Sequence, residues 1–369
     1  MVTTLAALLL CGASAYTLGI QHARAGRIST SAAVMSSVAS PVAADAQLSA
    51  FNAWLEANSI ASSKVQAARL PGWGVCLIAG ENGVQPGDTL LSVPSSLHLT
   101  PSKVQASPLG EAAAPVVGGD ESALLALGLL AELGKGEAGC TCWPYLDLLP
   151  SADAMHGMPL LWSDDERSRL LRGSHLDGAV ADSRAMILDQ WAALETMVLP
   201  EHPAELFPRE VFHAAGYLWA HAIVLSRALP FGEELHLIPL LDLANHQAGV
   251  KHTCSIGVAG GQQAGIKESW QLDGKESAAV LTAGSALKPG EQVFIDYGES
   301  GWRSSWEMLY TYGFVPGQDH KQWLASGGRP IFFAGVAPED PLSAQKRALL
   351  VALGAHEGAS EGTWIDLKP

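Results

Sequence analysis

From Asp45 onward, Leu48, Phe51, Trp54 and Leu55 recur at helical spacing, which predicts an amphipathic helix where ordered structure begins. Leu70-Pro-Gly72-Trp73-Gly74 then reads as glycine turn chemistry leading into the apolar strand 75–79. Gln85-Pro-Gly87-Asp88 reads as a second turn before a strand at 89–93, and together these predict a small antiparallel β unit. Between about 101 and 235 the apolar period becomes helical. Residues 122–133, 182–197 and 208–229 are predicted helices. The last has Pro208 in its first turn and an apolar stripe of Val211, Phe212, Ala215, Leu218, Trp219 and Ala222. The Pro/Gly-rich stretches 134–139 and 150–159 are predicted loops. Strand patterning returns at 235–241, 253–258, 278–282 and 292–297, with 257–265 as a hairpin tip. Residues 304–312 form a predicted helix stopped by Gly313, and 343–353 resume helical patterning. The fold class implied is α+β: short antiparallel sheets with a helical block inserted.

Composition narrows the partners. The 369 residues carry a formal charge of −15 and show no basic cluster, which excludes recognition of a phosphate backbone. Five cysteines are too few for a disulfide framework, and Cys140-Thr-Cys142 reads as two free thiols with no neighbouring histidine to complete a zinc set. No internal run reaches the ~20 apolar residues of a membrane span. The apolar stretch Leu5 to Leu10, followed by Ala13-Ser-Ala15, resembles a signal-peptide core and cleavage site. Beyond it, 16–44 is acid-free, hydroxyl-rich and contains Arg24 and Arg27, the composition of a transit segment. Residues 1–45 are therefore expected to be a bipartite presequence directing the chain to a plastid. The alternatives are the secretory pathway or the cytosol.

Two stretches could carry chemistry. Asp242, Asn245 and His246 follow an apolar run, where loop residues can face a pocket. Asp242 and Asn245 could form a locally capped turn, or Asp242, His246 and His252 a metal set whose spacing matches no zinc-enzyme motif. The second stretch, Glu291 to Gly298 with Tyr310-Thr-Tyr312-Gly313-Phe314, places two tyrosines and a phenylalanine on adjoining elements. Taken alone, such aromatics pack in a core.

Read together and in order, these pieces resemble the SET-domain protein methyltransferases of the Rubisco large-subunit lysine methyltransferase-like branch. The matching segments are Gly72-Trp-Gly74 and its strand, Gly87-Asp-Thr-Leu-Leu-Ser-Val-Pro94, Ser226-Arg227, Pro239-Leu-Leu-Asp-Leu-Ala-Asn-His246, Pro289-Gly-Glu-Gln-Val-Phe-Ile-Asp-Tyr297-Gly and Tyr312-Gly-Phe314. The resemblance implies a SET domain over 46–315 with its helical insertion at about 101–235. Residues 316–369 would be the beginning of a C-terminal helical substrate-binding domain. It also implies S-adenosyl-L-methionine as cofactor. Gly72, Trp73 and Gly74 would let backbone approach it, Arg227 would face its carboxylate, and Asn245 would accept from its ammonium. His246 would hold the adenine edge and Phe314 cover the adenine face. Tyr297 would orient the transferring methyl as the catalytic residue, with Ser226, Leu229, Asp242, Ile295 and Tyr312 lining the channel of the acceptor.

The implied activity is protein-lysine N-methylation of a non-histone, plastid protein such as Rubisco. In the related actin-histidine branch the positions of Leu229 and Leu241 hold Asn and Trp. An aliphatic channel suits a lysine stem better than an imidazole that needs a hydrogen-bond partner. Histidine methylation, a catalytically silent SET-like binding module and a metal-dependent hydrolase remain the other readings.

Overall fold

The computed structural model describes residues 45–60, 64–247, 254–258, 278–297, 303, 305–315, 331–333, 345 and 363–365. The expected presequence, His252, the hairpin tip beyond Val258 and the 343–353 helix apart from Gln345 lie outside the described residues.

Helix α1 (Ala46–Ala57) starts where the sequence predicts, because the Asp45 carboxylate accepts from the Gln47 and Leu48 N–H groups at its N-terminus. Its apolar stripe of Leu48, Phe51 and Leu55 is buried. Strands β1 (Val65–Leu70) and β2 (Gly74–Ala79) form an antiparallel hairpin. Asn52 of α1 holds β1 by exchanging two hydrogen bonds with the Ala67 backbone, at 3.3 and 3.1 Å. The sequence had joined β2 with β3 (Thr89–Pro94) in one unit. Instead β3 pairs with β8 (Ala278–Thr282), whose other edge takes β7 (Ser255–Val258). Gln66, Ala67, Ala68 and Arg69 gave β1 no apolar signature, so the true partner of β2 was hidden.

The helical block contains α2 (Pro108–Val117), α3 (Glu121–Gly134), α4 (His175–Ala193) and α5 (Ala214–Arg227). Every residue from Ala123 to Leu130 is buried, so α3 is the central core helix, and α5 packs across it. Neither α2, which contains Pro115, nor the short helix Gly136–Gly139 inside an expected loop was legible. The predicted 208–229 helix begins six residues late, at Ala214. The His213 ring accepts from the Gly216 N–H at 3.0 Å and caps the helix there. Gly216 has to be bare, since a Cβ would sit 2.2 Å from the Val211 carbonyl. Pro208 therefore lies outside the helix, packed where a Cβ on Gly134 would come within 2.9 Å of it.

Two further contacts fix the frame. His98 Nε2 lies 3.1 Å from the Val93 carbonyl, so it must be the protonated nitrogen, and His98 Nδ1 then accepts from His236 Nδ1 at 3.0 Å. This tautomer chain ties the end of β3 to the hairpin of β4 (Leu229–Phe231) and β5 (Glu234–His236). Elsewhere, a Cβ on Gly157 would lie 2.1 Å from the Gly313 carbonyl oxygen, so the block's loop touches bare backbone just past the helix α6 (Ser305–Tyr312). Among the described residues no helix is long and apolar enough to cross a membrane. Beyond Val315, β10 (Ile331–Phe333) and β11 (Thr363–Ile365) pair antiparallel in a second unit.

Gly157→Ala should cost about 1–3 kcal/mol by overpacking, readable as a lower urea midpoint. An unchanged midpoint would show that the backbone contact yields freely. Burial pushes His98 and His221 down to about 4, whereas the unfolded chain takes these protons near 6.5. Stability is thus complete above pH 6.5 and falls as pH drops toward 4. Thermal melts across that window should show the slope, and His221→Gln should flatten it.

Candidate active site

Three separate segments meet at one buried charge. Arg227 is the last residue of α5, so its side chain leaves the helix at its carboxyl end, where a cation is favoured. Its Nη1 donates to Asp242 Oδ2 at 2.7 Å, and the Tyr145 hydroxyl donates to the same oxygen at 2.9 Å. Asp242 is 1% exposed and Arg227 20% exposed. The expected strand at 235–241 is present only as β5, and Asp242 lies instead in a tight turn, Leu241–Leu243. Buried Leu240 holds φ = +76° to make that bend, a strain of roughly 1–3 kcal/mol for a residue with a side chain. Burial is the largest single influence on the Arg227 pKa and lowers it, but the charge and hydrogen bond of Asp242 together with Tyr145 and Tyr297 outweigh it and the net shift is upward, while burial and Asp242 both push Tyr145 upward. Asp242 Oδ1 is sealed from solvent with no protein donor, an unpaired acceptor beside the ion pair.

The chain leaves this turn as β6 (Asn245–His246), which runs parallel to β9 (Phe294–Ile295). The predicted 292–297 strand is regular over these two residues only. Asn245 Nδ2 donates to Gln292 Oε1 at 2.9 Å, which orients the amide and leaves Oδ1 as its outward acceptor. His246 Nδ1 accepts from the Tyr297 N–H at 3.1 Å. The Tyr297 hydroxyl donates to the Ala244 carbonyl at 2.9 Å, and burial raises its pKa. The phenol proton is therefore committed, and the oxygen can act toward a ligand only as an acceptor.

Helix α6 brings the remaining aromatics. Gly313 at φ = +78° ends it, as a left-handed glycine does, and turns Phe314 back. Tyr297 and Tyr312 ring centroids are 4.5 Å apart, and His246 lies 5.2 Å from Tyr297 and 5.9 Å from Phe314. The Arg303 guanidinium stands 5.3 Å over the Tyr312 ring.

Gly72 and Gly74 both have positive φ, and a Cβ on either would meet no protein atom. Glycine is thus required by the turn, which also presents bare backbone to open space. Trp73, 49% exposed, packs edge-on to Phe294 at 5.7 Å and sets that turn beside β9. Of the residues expected along the channel, Tyr312 joins the aromatic cluster and Leu229 is half-buried at the start of β4. Ile295 is buried in β9, Asp242 is turned onto Arg227 and Tyr145, and the Ser226 hydroxyl donates back to the Ala222 carbonyl at 2.8 Å. Sequence reasoning missed Tyr145 and Gln292. The one available signal was that a buried tyrosine hydroxyl and a buried glutamine each need a partner.

No protein-family model matches the chain. It is 29% identical over 271 residues to the chloroplastic [fructose-bisphosphate aldolase]-lysine N-methyltransferase of Arabidopsis thaliana, covering 71% of this chain and 50% of that protein. With the chloroplastic ribulose-1,5 bisphosphate carboxylase/oxygenase large subunit N-methyltransferase of Pisum sativum, identity is 26% over 301 residues, 79% of this chain and 56% of that one. The chain thus spans about half the length of the curated relatives it matches. The solved SET domain of LSMT bound to lysine and AdoHcy superposes with a TM-score of 0.63 at 22% identity, covering 88% of this chain and 67% of that chain. The fold is therefore that of a SET domain, as the ordered motifs implied.

Asp242→Asn leaves Arg227 buried without its counter-charge and should cost about 3–5 kcal/mol of stability, against about 1.5–3 kcal/mol for Tyr145→Phe, which removes one hydrogen bond to a charged acceptor. Urea unfolding of both variants tests the order. An Asp242→Asn loss below about 1 kcal/mol would remove the pair from its central place.

Proposed function

We propose that the protein is an S-adenosyl-L-methionine-dependent protein-lysine N-methyltransferase acting on a non-histone plastid protein. The observation that carries this reading is the Tyr297 oxygen, a neutral acceptor walled by Tyr312, His246 and Phe314 and lying beside the Arg227 and Asn245 stretch. The residues fit the cofactor's donor set. Asn245 Oδ1 is an acceptor suited to an ammonium, and the Arg227 guanidinium, 20% exposed, suits a carboxylate. Phe314 and His246 offer faces to a flat heteroaromatic ring, and the Gly72 to Gly74 turn presents backbone alone.

When bound, S-adenosylmethionine would supply a methyl group on a sulfonium. The chain's own work is to orient and to exclude water. A free lysine, pKa ~10.4, is neutral in only about one molecule in a few thousand at pH 7, a deficit of roughly 4–5 kcal/mol. Leu229, Leu241 and the tyrosine rings would disfavour the ammonium by desolvation and so raise the neutral fraction. No general base is then required, and Tyr297, whose proton rests on Ala244, is unsuited to be one. Its lone pairs would instead be available to positive charge developing at a transferred methyl, an oriented electrostatic contribution.

Support for lysine comes from the names of the relatives and from the aliphatic residues at positions 229 and 241. A plastid setting is supported by the composition of 16–44 and by the chloroplastic relatives. Aldolase and the Rubisco large subunit are the first substrates to try.

Tyr297→Phe should lower methyl transfer by roughly 10–1,000-fold at saturating cofactor while leaving cofactor affinity nearly unchanged. The measurement is label transfer from S-adenosylmethionine to a plastid protein extract, beside calorimetric cofactor binding. Full turnover in Tyr297→Phe would remove the catalytic role. Cofactor binding without tyrosine-dependent label would favour a silent binding module.

A further inference from the structure

Outside this site, three thiophilic or anionic side chains converge. The Sγ atoms of Cys140 and Cys142 are 3.3 Å apart, Cys140 Sγ lies 3.4 Å from Glu132 Oε2, and all three ligand atoms fall within 4.8 Å of one another. We infer that Glu132, Cys140 and Cys142 form a binding site for one thiophilic divalent cation of the Zn²⁺ class.

The dimensions fit. Zn–S bonds of about 2.3 Å and Zn–O bonds of about 2.0–2.2 Å give tetrahedral ligand edges of roughly 3.6–3.8 Å. The Cys140–Cys142 and Cys140–Glu132 edges, at 3.3 and 3.4 Å, have only to open by a few tenths of an ångström, and the third edge lies within 4.8 Å, an adjustment within reach of side-chain rotation. The scaffold is built from helix ends. Glu132 sits in the last turn of the buried helix α3, Cys140 closes the short helix Gly136–Gly139 by donating its N–H to Gly136 O, and Cys142 precedes the helix Trp143–Leu146. The intervening residue is pinned by the Trp54 indole, which donates to the Thr141 carbonyl at 2.8 Å. Lys135 pairs with Glu132 through Oε1, so Oε2, the oxygen facing the thiols, is left to ligate. Cys142 is only half-buried, so an ion can reach the thiols from solvent.

The donor set selects the ion. Two soft sulfurs and one oxygen suit Zn²⁺ and disfavour Mg²⁺ or Ca²⁺, which take oxygen ligands. Binding exchanges two S–H bonds for two metal–sulfur bonds and releases two protons to solvent, with no change of oxidation state. The ion would brace the end of α3 against the short helix that carries Tyr145, whose hydroxyl reaches Asp242. This inference does not depend on the methyltransferase reading.

The test uses the full chain, reduced with a phosphine, stripped with chelator and titrated with Co²⁺. One equivalent should give thiolate-to-cobalt charge-transfer absorption that Zn²⁺ abolishes. Cys140→Ser and Cys142→Ser should each weaken binding at least tenfold, and Glu132→Gln, which keeps both thiols and the local shape, should weaken it measurably. The controls Cys76→Ala and Cys254→Ala, at sites remote in sequence, should bind like the parent. Absorption absent from folded protein, absorption surviving in the Cys140/Cys142 double variant, or a Cys140–Cys142 disulfide persisting under the phosphine would each overturn the site.

Discussion

The charge pair between Arg227 and Asp242 is the constraint on which the site's geometry rests. Burying two ions costs several kcal/mol each, and their attraction repays this only with good geometry and further hydrogen bonds. Here the Tyr145 hydroxyl supplies one such bond. The pair joins the end of α5, the turn after strained Leu240 and the short helix holding Tyr145. Each of these segments could otherwise move independently, and the two residues of β6 begin where the turn ends.

That pairing also shapes what Arg227 can offer. With Asp242 beside it the guanidinium is locally neutralised, so a ligand carboxylate would be held by directed hydrogen bonds and weakly drawn from a distance. An overall charge of −15 would reinforce this for an anionic ligand and would favour an approaching lysine. The aromatic cluster completes the arrangement. Tyr297 is tied at its N–H by the His246 ring of β6 and at its hydroxyl by the Ala244 carbonyl just before that strand, so its oxygen is held from both ends of the residue.

Much of this was legible in the sequence, and the failures have physical causes. Helices α1 and α6 carry apolar residues at helical spacing, α3 a long apolar run, and ends are marked by signals such as Asp45 and Gly313, so their boundaries were read closely. Strand β1 has small and polar residues and went unseen, which misassigned the partner of β2. The start of α5 was misplaced because Val211 and Phe212 are apolar for tertiary reasons, packing against the block from outside the helix. At the candidate site, ordered motifs singled out Asn245, His246, Tyr297, Tyr312 and Phe314, and the fold brings the last four together as one ring cluster. Tyr145 lies 97 positions from its partner Asp242, and no local pattern connects them. Glu132 and Cys140 are eight apart, yet across a helix end that the loop-like composition concealed.

The bare backbone contact between Gly157 and Gly313 bears on how such a domain could be rebuilt. Two chain segments 156 positions apart share a gap too narrow for any side chain, so their compositions are locked together at that spot. The inserted helical block is therefore not a cassette exchangeable at its ends alone. A substitute block drawn from another protein would have to present a side-chain-free residue at this depth, or the turn that presents Phe314 would be lifted off its seat. Modularity in this fold stops where the two glycines meet.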